Sequence, residues 1–148
     1  MAQIPADTCP ASVTRGSVTT MTTTNSIATA MFTVADQDAA VEYYTEKLGW
    51  EVRSDVRFGE GEQAGRWVEV APPGSAAVLA LNVAWGDTSP GGGAIGVETP
   101  DVNAEHDALA EAGVSISEFM GGDGPVPQMF SITDPDGNTI WVVQAQSA

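Results

Sequence analysis

Apolar and polar residues alternate along several short segments of this chain, and a helical spacing of apolar residues lies between them. Alternation over residues 27–34 predicts a half-buried strand. Apolar residues then recur at helical spacing over residues 38–48, between Asp36, a suitable N-cap, and Gly49, a suitable helix stop. The regular part of the chain is therefore predicted to begin with a strand and a helix.

Three more strands are predicted after this helix, and the same order of elements then repeats after a Gly-rich linker. The first module continues with strands over 51–57, 66–71 and 77–85, and the linker spans 86–93. The second module has a strand over 94–98, a helix over 102–112, and strands over 114–119, 129–133 and 139–144. The repeat predicts two β-α-β-β-β modules, residues 27–85 and 94–145, in an α+β domain spanning 27–145.

Each module would bury its helix against one face of its sheet and leave the other face curved and open. Four segments in this order resemble the vicinal oxygen chelate superfamily, which includes glyoxalase I, bleomycin-resistance proteins and extradiol dioxygenases. The segments are VADQDAAVEYYTEKLGWEVRSD, GRWVEVAPPGS, DVNAEHDALAEAGV and DPDGNTIWVVQ. The resemblance implies that the modules form a cup-shaped mixed sheet with the helices on its convex side. It also implies a ligand cavity inside the cup and a homodimer.

The resemblance also identifies the four positions at which enzymes of this superfamily hold a divalent metal. They correspond here to Thr29, Ala80, Ala94 and Trp141. Alanine has no donor atom, and an indole donates only an N–H, so these residues do not suit Zn²⁺, Ni²⁺ or Fe²⁺. We therefore expect no metal site and no cofactor.

The strand alternation predicts which side chains enter the cup. Trp67 and Trp141 have apolar neighbours in sequence that suit the opposite, helix-covered face, so their indoles are expected to stack on a planar ligand. Glu69 and Glu98 are expected to set its charge preference, and they are also the candidate acid/base residues. The remaining residues predicted to bind the ligand are Thr29, Met31, Asn82 and Met129.

The charge balance and the residue counts narrow the classes of partner. Five basic residues accompany twenty acidic ones, giving a net charge of -15, which disfavours nucleic acid and an anionic membrane surface. No apolar run is long enough to cross a membrane. The single cysteine, Cys9, fits a reducing cytoplasm. The single histidine, His106, falls in the second predicted helix and is expected on the convex side.

The first 26 residues form a Thr-, Ser-, Ala- and Pro-rich tract without helical or strand periodicity. We expect this tract to be a flexible extension and not a secretory signal, because it lacks a long apolar segment. Met21 is an alternative start of the chain.

Three functions remain open from the sequence. The first is a metal-independent binding protein that sequesters a small aromatic or cationic molecule in the cup. The second is a lyase, isomerase or dioxygenase that uses a shifted metal site or metal-free acid/base catalysis by Glu69 or Glu98. The third is an accessory subunit whose cup is filled by its own side chains.

Overall fold

The computed structural model describes residues 22–146 as two modules of the same order. The first module contains β1 (Thr29–Thr33), α1 (Gln37–Glu42) with a π-helical turn (Tyr43–Lys47), β2 (Glu51–Phe58), a 3-10 turn (Gly61–Gln63), β3 (Gly65–Ala71) and β4 (Val78–Asn82). The second module contains β5 (Ala94–Thr99), α2 (Val102–Glu111), β6 (Ser115–Ile116), β7 (Met129–Thr133) and β8 (Thr139–Gln144).

Each module folds into a four-stranded mixed sheet. The strand order is β1-β4-β3-β2 in the first sheet and β5-β8-β7-β6 in the second. The pairs β1–β4 and β5–β8 are parallel, and the other neighbouring strands are antiparallel. The predicted α+β fold of two repeated β-α-β-β-β modules is confirmed.

Two strands are shorter than the alternation predicts, and hydrogen bonds explain both differences. The strand predicted to reach Trp85 ends at Asn82, because Trp85 and Thr88 satisfy each other's backbone groups in a turn. The strand predicted over 114–119 has only two residues in β6. There the backbone N–H of Ser131 donates to the Ser117 hydroxyl in place of a backbone carbonyl, which interrupts the ladder.

One apolar core joins the two modules. Each helix packs on one face of its sheet, which we call the helix-covered face. Residues of both modules pack in the same cluster. Its largest fully buried apolar members are Tyr44, Phe32, Phe130, Leu81, Ile132 and Ile140. Because the helix-covered faces form this core, the opposite face of each sheet is left for other contacts.

The turn at 134–138, between β7 and β8, connects the two modules. Gly137 adopts the positive φ of 94° that a tight turn requires there. The side chain of Asn138 donates to the Thr33 carbonyl at 3.1 Å and accepts from the Gly93 N–H at 3.0 Å. The Asp136 carboxylate accepts from the Ala35 N–H at 3.0 Å. The hairpin between β7 and β8 therefore contacts the end of β1.

Residues 22–28 precede β1 without helix or strand, and the predictions for residues 1–21, including Met21 and Cys9, lie outside the described residues. Within the described part of the chain, no helix combines the length and the apolar character that crossing a membrane requires.

Candidate functional site

The two sheet faces that point away from the core are the candidate sites, and we call them the first and second open faces. Side chains alternate across each strand, so the buried Phe32 places its neighbour Met31 on the first open face. In the second module the buried Ile140 and Val142 likewise place Trp141 on the second open face. The open faces thus belong to different modules.

The first open face brings five of the predicted site residues onto one surface. Met31 and Glu69 flank Ala80 in adjacent strands, and Ala80 is fully buried beneath its neighbours. Asn82 lies two residues further along β4. In the antiparallel register, Trp67 of β3 lies opposite Asn82. The fifth residue, Thr29, pairs with Val78 at the opposite end of the face.

The second open face carries the other three predicted site residues. Glu98 and Met129 lie in one row, on either side of Val143. Trp141 lies in the neighbouring row of β8, between Gly96 and Ser131. Its register neighbour on β5 is therefore Gly96 and not Ala94, which pairs with Thr139.

The surroundings of Trp141 leave room beside its indole. Gly96 has no side chain, and a Cβ built on it would meet no atom within 4 Å. Ser131, on the other side, is small. A flat group could therefore lie beside the Trp141 ring without displacing a bulky neighbour.

Two carboxylates without a salt-bridge partner lie on the open faces among the described residues. Glu69 contributes one to the first face and Glu98 one to the second, whereas Arg53 in β2 is paired with Glu51 at 2.8 Å. Arg66 points to the opposite side, where it bonds Asp38 at 2.7 Å and Asp55 at 2.8 Å. Hydrogen bonding to Arg66 lowers the pKa of Asp55. Each open face therefore carries at least one carboxylate without a basic partner among the described residues.

The donor set does not fit the metal that the superfamily's enzymes hold. In the register of the sheets, Ala80 adjoins Met31, and Trp141 adjoins Gly96. The strand neighbours of Ala80 and Trp141 add the Met31 thioether, the Glu69 carboxylate and the Ser131 hydroxyl, so the set gains one charged oxygen ligand and no imidazole. Among the residues that the structure describes, no three His, Cys, Asp or Glu side chains cluster closely enough to hold a metal ion.

The predicted site residues line neither of two cavities on the described part of the molecule. One cavity, of about 330 Å³, is apolar and lies where the modules meet, between Trp50, Leu79 and Ile95. The other, of about 370 Å³, is bordered by residues 122, 124–128 and 144–146. The two open faces belong to different modules and lie apart from both of these cavities.

Residues of β2 on the first open face were missed by the sequence analysis. Val56 pairs with Trp67, and Ser54 pairs with Glu69, so both lie on the same face as these residues. Phe58 covers Gly65, whose missing side chain leaves space for the ring. A register shift between Val52 and Ser54 hides this placement from a simple count of alternating residues. The placement follows from the pairing of β2 with β3, for which the single sequence contains no clear signal.

The single histidine and two further tryptophans lie outside the strands of the open faces. His106 stacks on Phe119 with ring centroids 4.4 Å apart, and its Nε2 lies 3.2 Å from the Ser117 carbonyl. Trp50 packs on the shared core, whereas Trp85 is 86% exposed in the turn that follows β4. His106 and Trp50 therefore contribute to packing.

Comparison with known proteins agrees with this fold. The model of the Glyoxalase/Bleomycin resistance protein/Dioxygenase superfamily matches residues 26–142. A probable lactoylglutathione lyase of Vibrio parahaemolyticus is 28% identical over 123 residues, which cover 80% of this chain and 89% of that protein.

Two solved structures from Streptomyces sp. CB03234 are similar as well. One is an antibiotic binding protein, 28% identical, with a TM-score of 0.72 and coverage of 84% of this chain and 99% of that chain. The other is a glyoxalase/bleomycin resistance protein, 31% identical, with a TM-score of 0.69 and coverage of 80% of this chain and 100% of that chain. The chain therefore belongs to the glyoxalase/bleomycin resistance protein/dioxygenase superfamily.

Proposed function

We propose that this protein binds a small planar molecule, aromatic or cationic, on its open faces without a metal ion. One observation carries the proposal: the Trp141 indole lies between Gly96 and Ser131, where a flat ring has room to stack. Stacking of this kind contributes about 0.5–1.5 kcal/mol beyond the burial of area. Trp67 supplies a second indole on the first open face.

The charges of the open faces support a cationic or neutral ligand. Glu69 and Glu98 are the side chains that we assign to the charge preference of the ligand. Asn82, Thr29, Met31 and Met129 would contribute a polar amide, a hydroxyl and two adaptable thioethers. A similar protein from Streptomyces is described as antibiotic binding, which is the kind of ligand that such a surface suits.

The proposal includes a homodimer. The open faces are wide surfaces in one chain, whereas small-molecule sites generally enclose most of the ligand. A second copy that covers an open face would supply the missing wall. We also place the protein in the cytoplasm, on the basis of its single cysteine.

A second candidate function is metal-free acid/base catalysis. The similarity to a probable lactoylglutathione lyase favours this alternative, and Glu69 and Glu98 are the carboxylates available for proton transfer. The absence of a competent donor at Ala80 and Trp141 weighs against a metal-dependent form of that reaction.

Calorimetric titration with two aromatic dyes tests the binding proposal. Acridine orange is a planar cation, and 1-anilinonaphthalene-8-sulfonate is an aromatic anion. We expect the wild-type protein to bind the cation more tightly. Trp141→Ala should weaken that binding roughly three- to tenfold, which is the loss that stacking energy predicts. Its urea unfolding midpoint should change little, because Trp141 lies on an open face.

Trp85→Ala is the matched control, because Trp85 is exposed and lies outside the strands of both open faces. The proposal fails if neither dye binds, or if Trp85→Ala weakens binding as much as Trp141→Ala. Turnover of the methylglyoxal–glutathione adduct to a thioester by metal-free protein, abolished by Glu69→Gln or Glu98→Gln, would instead establish the enzyme.

A further inference from the structure

The free edge of the first sheet carries a pattern that is complementary to itself. Strand β2 is the outermost strand, and only β3 pairs with it among the described residues. Two of its apolar side chains are half exposed: Val56 is 51% exposed and Phe58 is 54% exposed. Exposed edge strands with apolar side chains are templates for pairing with another chain.

We propose that β2 pairs antiparallel with β2 of a second copy, in a register centred on Val56. This register places Val56 opposite the same residue of the second copy. It places each Asp55 opposite an Arg57, and each Ser54 opposite a Phe58. Opposite charges therefore face one another at two of the five positions and valines face one another at the centre, and pairs of both kinds stabilise an antiparallel sheet.

The surroundings of Arg57 support this register. Within one chain, Arg57 lies directly opposite Arg66 on β3, which is an unfavourable pairing of like charges. Arg66 already bonds Asp38 and Asp55, whereas Arg57 has no hydrogen bond or ion pair with any described residue. In the paired register, Asp55 of the second copy becomes the cross-strand neighbour of Arg57.

The irregularity at Arg53 sets the length of the contact. The ladder shifts register between Val52 and Ser54, so a regular edge extends only over residues 54–58. Arg53 itself points back to its own chain, where it donates to the carbonyls of Pro72 and Ser75 at 2.9 Å each. Charged residues on an edge strand usually prevent association. Here the antiparallel register places each Asp55 opposite an Arg57, so the charges of the two copies attract one another.

This contact is separate from any contact that covers an open face, because a sheet edge and a sheet face point in different directions. It would join the two first sheets into one eight-stranded sheet with both first open faces on the same side. A symmetric contact of this kind joins two single chains into a dimer, and it joins two dimers into a tetramer when the assembly closes. The proposal therefore does not depend on the proposed ligand.

Sedimentation velocity of the unliganded protein tests the pairing through four variants. Val56→Lys places like charges at the centre of the contact, and Arg57→Asp places carboxylates opposite one another. We expect each to halve the assembly mass and to raise the dissociation constant roughly tenfold or more. Arg57→Asp also places a carboxylate opposite Arg66, so this variant should remain folded.

Two further variants complete the test. The double variant Asp55→Arg with Arg57→Asp reverses both charges and should restore the wild-type mass. Val83→Lys is the matched control, because Val83 is 50% exposed and lies outside β2.

A wild-type mass that equals that of Val56→Lys would overturn the pairing. So would a charge-reversed double variant with the reduced mass, or a control that is reduced as well. A fifth variant, Trp141→Ala, should leave the mass unchanged, which separates this result from a failure of ligand binding.

Discussion

The hydroxyl of Tyr44, in the π-helical turn of the first module, donates to the buried Asp134 carboxylate of the second module at 2.9 Å. Asp134 is 4% exposed, and its other partners are the backbone N–H groups of Asp136 and Asn138 and the Asn138 amide. Every oxygen of this carboxylate is thus satisfied, as a buried charge requires. The pair therefore helps to fix one module against the other.

Tyr44→Phe removes one donor to this buried carboxylate and keeps the ring. We expect the free energy of unfolding to fall by about 1–3 kcal/mol, because a buried charged acceptor loses a partner. Urea unfolding measures the change. Tyr43→Phe is the matched control, because its hydroxyl makes only a long 3.4 Å hydrogen bond to the Thr133 carbonyl. An equal loss of unfolding free energy in both variants would show that the bond to Asp134 stabilises the fold no more than the long bond of Tyr43 does.

The same tyrosines predict a loss of stability at alkaline pH. Burial and the nearby Asp134 charge raise the pKa of Tyr43 from 10.0 to about 12, and the same two causes raise the pKa of Tyr44 further. Below pH 10 both phenols are neutral in the folded and the unfolded chain, so the stabilisation is fully present. As pH rises from 10 towards 12, the unfolded chain loses these protons first, and stability falls.

Urea unfolding at a series of pH values between 8 and 11 measures this loss, and phenolate absorbance of the folded protein reports the ionisation itself. The slope of stability against pH above 10 should become smaller in Tyr44→Phe, because that variant has one fewer buried phenol. A folded protein in which both tyrosines ionise at the ordinary pKa would contradict the argument.

The alternation of side chains was sufficient to predict the modules, because each sheet buries one face and leaves the other open. Thr133 and Gln144 end their strands where the pattern predicts, next to the turn and at the end of the module. The role of Asp134 was not predictable, because its buried position depends on Tyr44, ninety residues away in the chain.

The candidate site was predictable only in part, for a similar reason. Alternation assigns Trp141 and Glu69 to a face, but it does not reveal which residue lies beside each of them. Gly96 adjoins Trp141 only through the parallel register of β5 and β8. The irregularity before Ser54 changes the face that β2 presents, and a single sequence contains no clear signal for it.

The close approach at Gly93 predicts a position that tolerates no side chain. A Cβ there would lie 2.7 Å from Phe32 Cδ1 and 3.0 Å from Asn138 Oδ1. Gly93→Ala should therefore cost about 1–3 kcal/mol of unfolding free energy, because the displaced ring is part of the core. Urea unfolding measures the cost, and Gly96→Ala is the control with open space around the new methyl group. Two equally stable variants would show that the core yields to the methyl group without cost.

Gly96 offers a way to separate the ligand site from the stability of the fold. Gly96→Val places a branched side chain beside Trp141, in space that is empty in this chain. A β-branched residue suits a strand, so the urea midpoint should stay the same or rise. Acridine orange binding should weaken roughly tenfold, because the side chain occupies the place of the stacked ring.

Gly96→Ala fills less of that space and should therefore give an intermediate affinity. A graded loss of affinity at constant stability would locate the ligand beside Trp141, since neither substitution removes a contact of the folded chain. Unchanged affinity in Gly96→Val would move the ligand away from this part of the second open face. In that case Trp67 and the first open face become the site to examine by the same pair of measurements.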